Sequence, residues 1–151
     1  MTVTNHAIFG AILGAVFQPV IAVPLAFASH FLLDILPHFG LPRLADRKKS
    51  KFVRLFIVVL KLDTIGLIAL FIILGVTKNF AMLAAAFAAF SPDIAWVYRY
   101  VITERWGRLE PGQPTRFNRF HKGIQRLESP QGILLEIPLA AVMVAILWRL
   151  T

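Results

Sequence analysis

The chain contains no cysteine, which excludes disulfides, thiolate metal sites and cysteine nucleophiles together. Any metal has to be held by imidazole and carboxylate, a donor set that suits zinc, manganese or iron better than copper(I) or iron–sulfur clusters. Phosphate-cradling glycine loops, nucleophile elbows and dinucleotide fingerprints are also missing. Histidine is scarce, four residues in 151, and positions 1–5 carry no lysine or arginine. That absence bears on residues 7–28, an apolar run ending in Ala26-Phe27-Ala28 that mimics a signal-peptidase site. Without a basic start, the run reads as mature protein rather than a cleaved leader.

What is abundant is apolar. Hydrophobic residues make up 58% of the chain and the mean hydropathy is +0.71, well above the usual share for a soluble domain. The expectation is one membrane domain over 1–151, an all-α integral membrane bundle of about five segments. The segments fall at 6–17, 20–36, 52–76, 79–101 and 132–150. Because a full span needs about 20 apolar residues, the first two read as a short helical hairpin hinged at Gln18-Pro19, and the other three as longer spans. A single span over 7–28, kinked at Gln18 and Pro24, is the alternative. Gly10 and Gly14 form a small-x3-small face that would let the hairpin pack closely.

The net charge of +8 gathers in two inter-helix segments rather than in a nucleic-acid-binding patch. Residues 39–54 hold Arg43, Arg47, Lys48, Lys49, Lys51 and Arg54 against Asp46. Residues 99–131 hold Arg99, Arg105, Arg108, Arg116, Arg119, Lys122 and Arg126 against three glutamates. The opposite turns carry only Lys78. The positive-inside rule then places both basic segments and the N-terminus in the cytoplasm, as in a bacterial inner membrane, with anionic lipid headgroups as partners. Within 102–131, Phe117, Phe120, Ile124 and Leu127 follow helical spacing, with the cations mostly elsewhere. This pattern predicts an amphipathic interfacial helix, with His121 flanking its apolar face.

Against this background, His30, Asp34 and His38 recur every four residues. On a helix they would form one row of metal-type ligands, spread over about 12 Å of axis. Ionisable groups in hydrocarbon are costly and usually mark a functional site. Pro37 disturbs ideal geometry at His38. In the deduced topology His6, Asp93 (in Ser91-Pro92-Asp93) and His121 lie on the same cytoplasmic side. The expected ligands are therefore His6, His30, Asp34, His38, Asp93 and His121, holding one or two divalent ions, zinc above all, with manganese or iron as alternatives. Asp63 and Glu136 are expected to orient those ligands or act as general base. Bland readings stand beside these: His6 as decoration of a helix start, Asp93 as a surface cap, and Glu136 as an interfacial carboxylate.

The fragments Thr4-Asn5-His6, Ser29-His30-x3-Asp34, Ser91-Pro92-Asp93 and His121-Lys122-Gly123 together resemble a family of small bacterial inner-membrane proteins. These are regarded as metal-dependent hydrolases, some under LexA (SOS) control. The resemblance implies hydrolysis at a His/Asp metal site. A site at headgroup depth beneath a basic helix points to a phospholipid or another anionic amphiphile as substrate. Two other functions stay open at this level: an ion, proton or metal transporter, and a non-catalytic membrane scaffold whose histidines only bond helices together.

Overall fold

The computed structural model describes residues 1–40, 50–97 and 115–151. Among them the chain is all-helical, with six α-helices and one pair of two-residue strands. The basic run at 41–49 and the stretch 98–114, which includes Arg99, Arg105 and Arg108, lie outside the described residues. α1 (Val3–Val16) and α2 (Pro19–Asp34) form the expected hairpin. α2 opens on Pro19, whose missing N–H is no loss at a first helical position. α3 (Ser50–Val76) and α4 (Phe80–Val97) follow. In the turn between them Lys78 takes φ +56°, while the Asn79 N–H reaches back to the Leu74 carbonyl at 2.9 Å. This is a left-handed helix cap of the kind glycine usually fills. α5 (Arg116–Ile124) and α6 (Ile133–Leu150) complete the set.

α1 sits at the centre and touches α2, α3, α4 and α6. Its Ala7, Ile8 and Ala11 meet Leu70, Leu74, Met82, Ala86 and Met143 in the core. The glycine face of α1 does not serve the hairpin, as the sequence suggested; it lies against α4. A Cβ on Gly10 would lie 2.5 Å from the Ala85 carbonyl oxygen and 2.6 Å from the Ala89 Cβ. One on Gly14 would lie 2.6 Å from the Met82 Cα. The alanine-rich sequence of α4 supplies the matching flat surface, so two backbones approach as closely as small residues permit.

The first turn of α1 is held from outside. Its N-cap, Thr2, makes no side-chain capping bond, so the leading N–H groups need other acceptors. Asp63 of α3 takes the Val3 and Thr4 N–H groups on Oδ2 and Oδ1 at 2.9 and 2.8 Å. Glu136 of α6 takes the Thr2 N–H at 3.1 Å. Two carboxylates thus meet the positive end of a helix dipole, and α1 is fixed in depth against both α3 and α6.

α2 stops at Asp34 rather than reaching 36. Pro37 biases the residue before it toward extended backbone, and His38–Phe39 forms β1, paired in parallel with β2 (Glu128–Ser129). The straight His30–Asp34–His38 row is therefore corrected: two members share a helix face and the third leaves it. A 3₁₀ turn at Pro130–Gly132 leads into α6, and Gly132 packs on the His38 backbone where a Cβ would collide with it. Two stretches, Arg54–Val76 and Pro130–Leu150, are long and apolar enough to cross a membrane. Their outward faces expose Leu62, Ile65, Ile72, Leu134, Ile137 and Trp148.

Candidate metal centre

His30 and Asp34 lie one turn apart on the buried face of α2, a direct result of their four-residue spacing. α4 fixes the first of them. Pro92 has no N–H to offer the Ala88 carbonyl, and the Ser91 hydroxyl donates to that carbonyl instead at 2.9 Å. On the neighbouring Ala89 carbonyl, the His30 Nδ1–H donates at 2.9 Å. With Nδ1 committed as donor, a neutral His30 presents the lone pair of Nε2 to the interior.

That Nε2 faces a compact set of donors. His121 Nε2 lies 3.0 Å away, and Asp34 Oδ2 lies 3.4 Å from His30 Nε2 and 2.9 Å from His121 Nε2. Asp93 Oδ1, one helical turn beyond Ala89, is 3.7 Å from His30 Nε2. On the other oxygen of Asp34, His6 Nε2 stands at 3.1 Å and the Met1 amino nitrogen at 2.7 Å. The His6 ring stacks on that of His30, centroids 4.0 Å apart. His6, His30, Asp34 and His121 are fully buried. Asp93 keeps 20% of its side chain exposed, so the cluster opens on its side.

The donor set fits a divalent ion. In a tetrahedral zinc site with bonds of about 2.0–2.1 Å, neighbouring ligand atoms are about 3.3–3.4 Å apart. The triangle of His30 Nε2, His121 Nε2 and Asp34 Oδ2 has edges of 3.0, 2.9 and 3.4 Å. Two overlapping triads, His6–His30–Asp34 and His30–Asp93–His121, each gather their donor atoms within 4.8 Å. The buried Nδ1 atoms of His6 and His121 have no hydrogen-bond partner among the described residues. Each lies across its ring from the Nε2 that faces the cluster, so it does not bear on an ion held there.

Of the eight residues singled out in the sequence, five converge: His6, His30, Asp34, Asp93 and His121. The other three stand apart. His38 donates its Nδ1–H to the Leu36 carbonyl at 2.8 Å and joins neither triad; burial holds its imidazole below the ordinary pKa. Asp63 caps α1. Glu136 is buried, accepting from the Asn5 carboxamide at 3.2 Å and the Phe39 N–H at 2.7 Å as well as from Thr2. Both carboxylates therefore organise the backbone around the cluster rather than reaching into it.

The sequence reading missed Gln125. Its Nε2 donates to Asp34 Oδ2 at 2.9 Å and lies 3.3 Å from His121 Nε2. The signal available was its position, four residues after His121 and so one helical turn on, directly past the end of α5. It fixes Asp34 through the oxygen that points at His30 and His121. Comparison with known proteins adds no relative: no protein family, curated protein or solved structure matches the chain.

Proposed function

We propose that this chain is a multi-pass inner-membrane hydrolase that uses a divalent metal, zinc above all, at a cytoplasm-facing His/Asp centre. The observation that carries this reading is the buried triangle of His30, His121 and Asp34, with Asp93 and His6 on its flanks. Three imidazoles gathered on a fully buried carboxylate, with the partly exposed Asp93 beside them, are costly to hold in an apolar interior; the Met1 amino group balances Asp34 on Oδ1 and leaves Oδ2 and Asp93 facing the imidazoles. The apolar outer faces of α3 and α6 support placement in a bilayer. The basic segments beside α3 and in front of α6 support a cytoplasmic N-terminus. When bound, the ion supplies Lewis acidity to a hydrolytic reaction.

The chain's own residues divide the remaining work. His30, His121, Asp34 and His6 hold the centre, with His30 locked in tautomer by the Ala89 carbonyl. Asp93 is the partly open carboxylate, and its Oδ1 is placed to take a proton from an incoming water. Gln125 orients Asp34. The basic surface over the centre favours an anionic amphiphile, a phospholipid or lipid phosphate, as substrate.

The test is metal analysis of the purified, detergent-solubilised protein, followed by assays on lipid phosphates. Stoichiometric zinc that is lost on combining His30→Ala with Asp34→Ala supports the reading, as does release of product that those variants abolish. A protein without metal, or one whose metal survives the double substitution, overturns it. Metal without hydrolysis turns the assignment toward transport or storage.

A further inference from the structure

α5 alone carries His121 to the centre, and Gln125 follows directly after it. The helix rests on the rest of the chain through a small aromatic contact. Phe31 of α2 meets Phe117, Phe120 and His121, with ring centroids 6.4, 5.5 and 5.9 Å apart. Polar ties run from His121 and Gln125 to Asp34 and His30. So short a helix, nine residues, is not stable by itself and depends on such contacts for its place. Yet two of the groups that complete the centre depend on its position.

The outward side of this segment is built for a different contact. Arg116, Arg119, Lys122 and Arg126 follow one another at spacings of three, three and four, and all four are exposed. Among residues 116–126 there is no acidic side chain. Beside this row, Phe120 is 56% exposed and Leu127 in the following turn 53%. Phe120 packs on Phe31 of α2, and Phe27 and Leu32 of that helix and Ile35 and Leu36 just after it are exposed as well. A cationic row bordered by apolar side chains, at the edge of an apolar belt, matches the boundary between anionic headgroups and acyl chains.

We propose that α5 is an interfacial clasp. Anionic phospholipid headgroups seat its cationic row, and that seating holds His121 and Gln125 against His30 and Asp34, so that the metal centre is complete only on an anionic bilayer. The proposal rests on the membrane-embedded metal centre described above, and the experiment has a second readout that does not need the metal. The full chain is reconstituted in nanodiscs of phosphatidylcholine alone or with phosphatidylglycerol. Zinc affinity is measured by competition with a chromophoric chelator, and hydrogen exchange is followed over residues 116–126.

Each cation held at an anionic surface strengthens association roughly fivefold. Zinc affinity is therefore expected to rise about tenfold or more with phosphatidylglycerol, with slower exchange in α5. The quadruple variant Arg116→Gln, Arg119→Gln, Lys122→Gln, Arg126→Gln should bind zinc in both discs with the weaker affinity that the native chain has in phosphatidylcholine, and so lose the dependence on lipid. Equal zinc affinity and equal exchange in the two lipids overturn the clasp while leaving the metal centre standing, and so does a variant that still responds. Absence of zinc binding in either disc removes the metal centre, and lipid-independent exchange of α5 would then remove the clasp as well.

Discussion

Asp63→Asn separates a structural carboxylate from a catalytic one. In the native protein both oxygens of Asp63 accept backbone N–H groups from the first turn of α1, at 2.9 and 2.8 Å. The Thr4 hydroxyl also donates to the Asp63 carbonyl at 2.7 Å. Asparagine has nearly the same shape but a single acceptor oxygen. Its amide nitrogen would confront an N–H, so one bond is lost and the other changes from charge-assisted to neutral. Hydrogen bonds to a charged group contribute about 1.5–3 kcal/mol and neutral ones about 0.5–1.5 kcal/mol. A negative charge at a helix N-terminus adds about 0.3–1 kcal/mol. Because the site is only partly buried, the lower part of these ranges applies, and the expected loss is about 2–3 kcal/mol. For a chain of this length that lowers the unfolding midpoint by about 5–10 °C, measured by circular dichroism in detergent with metal content determined on the same samples. Zinc stoichiometry should not change. A variant with the wild-type midpoint refutes the capping argument, and one that loses zinc with unchanged stability moves Asp63 into the centre.

Gly10→Ala should destabilise by about 1–3 kcal/mol, because α1 and α4 must separate to admit the methyl group. Gly75→Ala is the control: nothing lies within 4 Å of its added Cβ, so thermal unfolding should show no loss. Lys78→Gly should raise stability by about 0.5–1 kcal/mol, since glycine takes the left-handed cap without strain; an unchanged or lower midpoint argues against strain there. Gln125→Ala should weaken zinc binding by about tenfold or more, as loss of a ligand-orienting group does, whereas His38→Ala should leave zinc affinity where it was. The reverse order of these two in chelator competition would return His38 to the ligand set.

Much of the helical layout was legible because it rests on local pattern. Apolar runs placed the hairpin and the later helices within a few residues of where they fold, and the four-residue spacing put His30 and Asp34 on one face. Amphipathic spacing likewise located α5. His38 was read as part of the row because spacing is blind to the unwinding before Pro37 and to a parallel strand partner ninety positions on. Gln125 carried only the signal of its place four residues after His121, and an amide there is unremarkable until a carboxylate is known to lie opposite. Gly10 and Gly14 announced a close approach but not its partner, because α2 and α4 are both rich in alanine.

The division follows from the range of the forces involved. Sequence alone determined where the helices lie and which side chains can ligate a metal, since these depend on composition and on periods of a few residues; of the three longer spans it suggested, two, Arg54–Val76 and Pro130–Leu150, are long and apolar enough among the described residues to cross a membrane. Only the tertiary structure decided which of those side chains meet. His6, His30, Asp34, Asp93 and His121 come from four helices and touch because α1 is pinned at its first turn by Asp63 and Glu136 and pressed through Gly10 onto α4. In doing so Asp63 and Glu136 hold the backbone around that cluster, a role that exists only once the backbone they hold is in place.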